Sequence, residues 1–565
     1  MAPSIVHLPN GHTLTVTPIF GGIGFKSNEL HTSHNVFPPG WTIILNSEDD
    51  DDEELPASVA AHTSTNDTAV YQAQKAHHIH RYRKPSLRND HLFISSISNP
   101  NTSEFKPASS PTRQIAMMLW ATLWWYFHQP QPAPQLHNFA SGNTPEDGKP
   151  KGEWIVHINR EGIFKGKHLL PKLERMGLIT SEDSTVGLDP EDGVSNTGEG
   201  WAKMFVSRRS FWQLDPRIYL FTLSPQHPGS PYPSISPAAS RPASPTRGQP
   251  GGMAVAPRSD EGFPSSGTST PPIGAPPLLK RHNTPPGPFT SNSHLPTFYP
   301  PPTLQYTLTN HIRHPVRPKP ARQGETIYTR YIPSLGQYLS FRIASLSKNP
   351  VVHRGPTSIN GHSADIRFPR HVDSTITSIA GLNLKGTPAT ANPTDDITYM
   401  TDVELLHKWM NDPRVAYSWG EEGPIDKQEK FLEACLTSKH SFPVIGCFDG
   451  RPFGFFEVYW LKEDKLAALM GGDAGDWDRG FHLLVGEQEY RGPHRVRVWL
   501  SALLHYCWLS DMRTQKVVME PRVDNTKLLN YALEAGFHKA GEVTFPHKQS
   551  NLLKISRSTW EAPAL

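Results

Sequence analysis

The chain has 565 residues, enough for two or three domains with their own cores, and its 55 Lys+Arg nearly cancel its 53 Asp+Glu. That balance argues against a nucleic-acid or membrane-surface protein. Three cysteines without C-x-x-C spacing argue against a disulfide framework or a structural zinc site and fit a reducing compartment.

Residues 1–223 read as a first α/β domain. Short strands are expected in HTLTVTPIF, TIILN, KMFVSRR and RIYLFTL, around a helix at 112–128 whose core is the apolar run IAMMLWATLWWYF. That run is too short to span a bilayer, so it is expected as a buried helix. GGIG at 21–24 lacks the full G-x-G-x-x-G spacing and reads as a turn, and EDDDDEE at 48–54 reads as a solvated loop. The stretch EWIVHINREGIFKGKHLLPKLERMGLIT has the length of a winged helix but lacks a basic helix face to hold phosphates. No secretory signal is expected from MAPSIVHLPN, and the final Pro-Ala-Leu is not a peroxisomal address, so a cytoplasmic location is expected.

Residues 224–304 differ in composition. About a quarter are proline, and few apolar residues offset the entropy of ordering, so a disordered linker is expected. Order returns at YTRYIPSLGQYLSFRIASL (328–346), whose end alternates as a strand, and 347–396 reads as an irregular insertion. From 397 the signals are dense. DVELLHKWMND and DKQEKFLEACLTSK have helical spacing, and FPVIGCFDGRPFGFFEVYW is a hairpin turning at Asp449-Gly450. GFHLLVGE is a strand, Gly492-Pro493 opens a helix, and QKVVMEP, NTKLLNYALEAGF, EVTFP and NLLKISR follow as strand, helix, strand and strand.

The unit that carries chemistry is DWDRGFHLLVGEQEYRGPH (476–494). A strand entering a glycine turn and then a helix N-terminus presents free N–H groups and a positive dipole to an anion. Gly492 permits close approach, Pro493 suits the first helical turn, and Arg491, Arg495 and Arg497 add cations, so a pyrophosphate is the natural guest. On the strand, Phe481, Leu483 and Val485 share one face, and His482 and Leu484 the other.

This order of elements resembles the GNAT superfamily of CoA-dependent N-acyltransferases, although Arg491-Gly492-Pro493-His494 keeps only the middle glycine of that superfamily's turn signature. HKWMNDPRVAYSWGEEGP, FEVYWLKEDKL, DWDRGFHLLVGEQEYRGPH, EPRVDN and FPHK, in that order, more narrowly resemble its siderophore-biosynthesis branch, the hydroxylysine acetylases and fungal N5-hydroxyornithine transacylases. The resemblance implies a GNAT-type mixed α/β (α+β) sheet with flanking helices over 305–565, and a degenerate, GNAT-like, non-catalytic domain over 1–223. It implies acetyl-CoA or another acyl-CoA as co-substrate, N5-hydroxyornithine as acceptor and a hydroxamate as product. Acetyl is favoured over a longer group such as anhydromevalonyl, and a non-catalytic CoA-binding scaffold is the rival reading. No metal, nucleic acid or membrane is expected, and homo-oligomerisation is left open.

Carried over residue by residue, the resemblance makes His482 and Asp524 the catalytic candidates. His482 would take the proton as the tetrahedral intermediate forms or hold the N–OH group, unless it is a core histidine; Asp524 would bind the hydroxylamine or orient His482, unless it caps the helix beginning at Asn525. Leu484, Val485, Gly486, Arg491, Gly492, Pro493, His494, Arg495 and Asn525 are expected around the CoA and the oxyanion. Trp409, Arg414 and Trp419 are candidates for the acceptor pocket, with Arg414 on the amino acid's carboxylate. Asp478 and Arg479 are read as substrate contacts or a local ion pair. The usual tyrosine that protonates the leaving thiolate is replaced here by Ala532, and none of the cysteines has a base beside it.

Overall fold

The computed structural model describes residues 3–28, 37–48, 79–98, 111–136, 139–166, 168–181, 204–214, 304–309, 311–318, 320–353, 355–358 and 397–565. Apart from Leu304, the expected linker lies outside these residues, as do RIYLFTL and, from 359 on, the expected insertion 347–396.

The N-terminal half is one eight-stranded sheet in the order β1-β2-β3-β4-β6-β7-β8, with β5 pairing beside β4. The strands are β1 (Ser4–His7), β2 (Thr13–Ile19), β3 (Gly22–Ser27), β4 (Gly40–Glu48), β5 (Ile79–Arg81), β6 (Asp90–Ser98), β7 (Ile155–Ile158) and β8 (Met204–Ser207). GGIG is only partly a turn: Gly21 makes it, and Gly22 already opens β3. Helix α1 (Pro111–Phe127) is buried nearly all round, which explains its continuous apolar run. Short helices α2 (Leu169–Arg175) and α3 (Arg208–Trp212) complete this half. The stretch considered as a winged helix instead supplies β7, parallel to β6, and α2.

The C-terminal half is a second eight-stranded sheet, β11-β12-β13-β14-β15-β16-β18-β17. Its strands are β11 (Thr326–Ile332), β12 (Gln337–Ile343), β13 (Ser441–Phe448), β14 (Arg451–Trp460), β15 (Arg479–Val485), β16 (Lys516–Met519), β17 (His538–Phe545) and β18 (Lys548–Ser556). A separate hairpin, β9 (Tyr306–Thr309) and β10 (Ile312–Pro315), precedes it. YTRYIPSLGQYLSFRI is thus two strands, not one. The helices are α4 (Asp402–Met410), α5 (Pro413–Trp419), α6 (Ile425–Thr437), α7 (Lys465–Leu469), α8 (Pro493–Ser510) and α9 (Thr526–Glu534). Val496, Trp499, Leu500, Leu503, Leu504 and Cys507, spaced on one side of α8, are all buried. The Asp449-Gly450 hairpin turn has positive φ at both residues, as a two-residue turn of matching twist requires.

The halves repeat one plan. In each, a meander of antiparallel strands leads to a strand followed by a long helix, and the next strand returns parallel to it: β6, α1, β7 and β15, α8, β16. They share one continuous apolar core. Across the seam His7 stacks on Tyr331 at 3.9 Å, Thr329 Oγ1 donates to the Pro9 carbonyl, and Trp212 meets the Arg330 guanidinium at 4.2 Å.

Candidate active site

Strand β15 follows the expected alternation. Phe481 is buried, with Leu483 and Val485 packed on the same core as α8, whereas Leu484 joins the cluster of Leu405, Trp409 and Leu432 beneath α4 and α6. Its pairing with β14 covers its whole length, but its pairing with β16 is limited to Arg479↔Val517 and Gly480↔Val518. Beyond Gly480 the two parallel strands part. Between them opens a cavity of about 310 Å³ lined by Phe481, His482 and Leu483 on one side and by Met519, Glu520 and Pro521 on the other. Trp419, Asp464, Arg522, Asn525, Phe545 and Lys548 are among its other walls.

The part of β15 along this gap has free backbone polarity. Gly486 N–H donates to the Phe453 carbonyl at 2.9 Å, so alternation turns the N–H groups of Leu484 and His482 toward β14. Those of Leu483 and Val485 then point into the gap. The Val485 carbonyl points the same way and accepts Arg491 Nε at 3.0 Å. Val485 thus fits the expected oxyanion donor, while Leu484 and Gly486 spend their N–H groups on the sheet.

His482 sits where the sequence placed it, with two partners the sequence reading missed. Its Nδ1 is 3.0 Å from Glu457 Oε2, directly opposite on β14, and its Nε2 is 2.9 Å from Glu520 Oε1, just past β16. Glu520 Oε2 accepts the Tyr459 hydroxyl at 3.2 Å, and Lys548 Nζ lies 3.4 Å from Oε1. Burial alone would lower the imidazole pKa. The Glu520 charge and the ring's hydrogen bonds to both carboxylates outweigh it and hold the group up at about 10. Burial likewise favours neutral carboxyls, yet the His482 charge holds Glu520 down at about 2 and its hydrogen bond brings Glu457 below the ordinary range. At neutral pH the trio is carboxylate–imidazolium–carboxylate, with both ring N–H groups donating. Both ring nitrogens of His482 thus face carboxylates, which weighs against the first of its two expected roles, taking the proton itself.

Asp524 does not reach His482. It is exposed at the cavity mouth, where Oδ2 accepts the Tyr417 hydroxyl at 2.9 Å and Arg522 Nη2 at 2.7 Å. Nor does it cap α9, because Asn525 Oδ1 accepts the Leu528 N–H at 3.2 Å.

The far end of β15 enters the turn. Gly492 has φ 115° and ψ 158°, a conformation that side chains disfavour, and no side chain caps the helix that Pro493 begins. The open first turn of α8 is thus available to an anion, with His494 in it. Two of the arginines are otherwise engaged: Arg491 on the Val485 carbonyl, and Arg495 on Gln337 Oε1 at 2.8 Å and over the Phe448 and Tyr490 rings. Arg414, expected at the acceptor, stands instead near this turn, bonded to Asp412 and Gln488.

Of the other expected contacts, Trp419 lines the cavity. Trp409 is core: its indole N–H donates to Glu487 Oε1 at 2.7 Å, and a Cβ on Gly486 would lie 2.1 Å from its ring. Asp478 is buried, accepting the N–H groups of Gly475 and Lys516, and Arg479 is buried against the Trp460 ring at 3.2 Å. Neither lines the gap; Arg479 borders a separate pocket with Ser438, His440 and Trp460. Burial pushes the Cys435, Cys447 and Cys507 thiols up to about 12, 11 and 12, so none supplies a thiolate nucleophile at neutral pH.

Residues 398–545 match the family described as Acetyltransferase (GNAT) domain. An N5-hydroxyornithine acetylase of Beauveria bassiana is 44% identical over 573 residues, covering 97% of this chain and 100% of that protein. An N(6)-hydroxylysine O-acetyltransferase of Escherichia coli is 46% identical over 158 residues, 28% of this chain and 50% of that one. An N(5)-hydroxyornithine:cis-anhydromevalonyl coenzyme A-N(5)-transacylase, also of Beauveria bassiana, is 41% identical over 162 residues, covering 29% and 35%. With a relative matched end to end and the cleft, turn and carboxylate-held histidine in place, the chain belongs to the siderophore-biosynthesis family of GNAT N-acyltransferases and is an acyl-CoA-dependent enzyme.

Proposed function

We propose that the protein transfers the acetyl group of acetyl-CoA to the hydroxylamine nitrogen of N5-hydroxyornithine, giving the hydroxamate. The observation that carries this reading is the gap between β15 and β16, with the His482–Glu520 pair at its wall and an uncapped helix N-terminus beyond its far end. The pyrophosphate fits the first turn of α8, and the pantetheine arm fits along Val485 and Leu483, which leaves the thioester beside His482.

The acceptor nitrogen is neutral at pH 7 and attacks without prior deprotonation. As the C–N bond forms, negative charge develops on the carbonyl oxygen, where the Val485 N–H is the available donor. The nitrogen of the adduct bears a hydroxyl and a positive charge, so its proton is acidic enough for a carboxylate. Glu520 takes that proton while His482 keeps the carboxylate aimed and ionised until then. The C–S bond then breaks and CoA leaves as a thiolate, which takes a proton from solvent. Three unpaired, buried thiols fit a reducing compartment, and we place the enzyme in the cytoplasm.

The test is purified protein with acetyl-CoA and N5-hydroxyornithine, N6-hydroxylysine or ornithine, following free thiol and ferric-hydroxamate colour. The hydroxylamines are expected to turn over and ornithine is not. Failure with every hydroxylamine would overturn the reading. An anhydromevalonyl-CoA arm distinguishes the longer-acyl alternative.

A further inference from the structure

The mouth of the cavity holds a charge pair with no part in the chemistry above. Arg522 and Asp524 are bonded side chain to side chain, Nη2–Oδ2 at 2.7 Å and Nε–Oδ1 at 3.1 Å. Tyr417, on the other rim, completes the cluster. Its hydroxyl donates to Asp524, its carbonyl accepts Arg522 Nη1 at 3.1 Å, and its ring lies 4.6 Å from the guanidinium. Arg522, Asp524 and Tyr417 are all substantially exposed, so nothing in the fold needs their charges there.

Their position relative to Glu520 is set by the backbone. Residues 520–523 run extended beside β18: Asn551 N–H donates to the Pro521 carbonyl, Arg522 bridges to Ser550, and Val523 N–H donates to the Gln549 carbonyl. Glu520 and Arg522 therefore point to the same side, with Cα atoms about 6–7 Å apart at about 3.3 Å per residue. In extended N5-hydroxyornithine, four bonds separate the reacting nitrogen from Cα, about 5 Å at bond lengths near 1.5 Å. A substrate with its nitrogen at Glu520 thus brings its amino-acid head to Arg522. The walls between, Trp419, Met519, Leu528 and Phe545, suit three methylenes.

We propose that Arg522 and Asp524 read the acceptor's zwitterionic head, Arg522 taking the α-carboxylate and Asp524 the α-ammonium, with Tyr417 closing over them. The planar fork of Arg522 suits a carboxylate better than Lys548, which is held at the reacting end by Glu520. This rests on the hydroxylamine-acceptor reading above and assigns Asp524 to specificity rather than proton transfer.

The experiment compares three acceptors: N5-hydroxyornithine, N-hydroxy-1,4-diaminobutane, which lacks the carboxylate, and 5-(hydroxyamino)pentanoic acid, which lacks the α-amino group. The unaltered protein is expected to favour the first over either analogue by about 10- to 100-fold in kcat/KM, the range for charged hydrogen bonds. In Arg522→Gln the preference over the diamine falls toward one through a higher KM for N5-hydroxyornithine, with Arg522→Lys recovering part of it. In Asp524→Asn it is the preference over the des-amino acid that falls. Thermal unfolding of each variant, expected within 2 °C of the parent, separates this from loss of fold. Variants that keep both preferences overturn the proposal while leaving the acyltransferase reading intact, whereas a parent that acylates none of the hydroxylamines overturns both.

Discussion

The two halves of the molecule build the same parallel strand pair and treat the space beside it in opposite ways. In the C-terminal half β15 outruns β16 and the gap is a cavity edged by His482 and Glu520. In the N-terminal half β6 pairs with β7 at Asp90, His91 and Leu92 and then runs on to Ser98 paired with β4 alone. There the chain's own 3₁₀ turn, Gly162–Lys165, fills the place. Gly162 has φ 53°, a Cβ on it would come within 2.1 Å of the Ile94 carbonyl oxygen, and Phe164 is fully buried. A shared architecture thus yields an open cleft in one half and a packed one in the other, and the charged trio occurs only beside the open cleft among the described residues.

The comparison can be broken at several points, and the largest effect is expected at Glu520. Glu520→Gln removes the proposed proton acceptor and should lower kcat by about 10²- to 10⁴-fold with acetyl-CoA affinity retained. Unaltered kcat would move the proton transfer elsewhere. At the other end of the cleft, Gly492→Val forces a side chain into its positive-φ conformation. Weaker CoA binding by about tenfold or more is expected in a direct titration, with the acceptor KM little changed.

His482→Ala leaves Glu457 and Glu520 facing one another without their shared cation. Allowing for the one-third exposure of His482, a loss of about 2 kcal/mol is expected in denaturant unfolding near pH 7. The sign with pH follows from the raised imidazole pKa. The stabilisation is complete below about 6.5, where the unfolded histidine is also charged, and fades as pH rises through about 10. Parent and variant should converge in stability above that point, and the activity profile should show no histidine break between pH 6 and 8. A break near 6.5 that disappears in His482→Ala would contradict the imidazolium assignment. The smallest effect on the site is expected from the packed half, where Gly162→Ala meets the Ile94 carbonyl and should cost about 1–3 kcal/mol of stability without changing acetyl-CoA affinity.

Much of the C-terminal half was legible because local signals agree there. Asp449-Gly450 turns as its residue types require, α8 buries the residues its spacing marked (and, from Val498 to Leu509, all the others), and His482 lies on the strand named for it. The partners of His482 were harder to see, since Glu457 and Glu520 are 25 and 38 residues away and meet it only through sheet pairing. A usable signal was nonetheless present. A lone glutamate in the apolar FGFFEVYW, and another directly after KVVM, must find a cation or water when those strands are buried. Trp409 and Arg414 were misplaced for the reverse reason. Helical spacing shows that α4 has an apolar face but not what that face covers, and Gly486 admits Trp409 only once the strand is packed. Asp524 looked catalytic by its place in EPRVDN, and the turn bonding Asn525 N–H to the Arg522 carbonyl swings it to the rim.

The difference between the halves is tested most directly by the stoichiometry of acetyl-CoA binding to the full-length protein in a calorimetric titration. One equivalent per chain is predicted, weakened at least tenfold by Gly492→Val and unaffected by Gly162→Ala. Two equivalents of similar affinity, or a single one insensitive to Gly492→Val, would contradict the account.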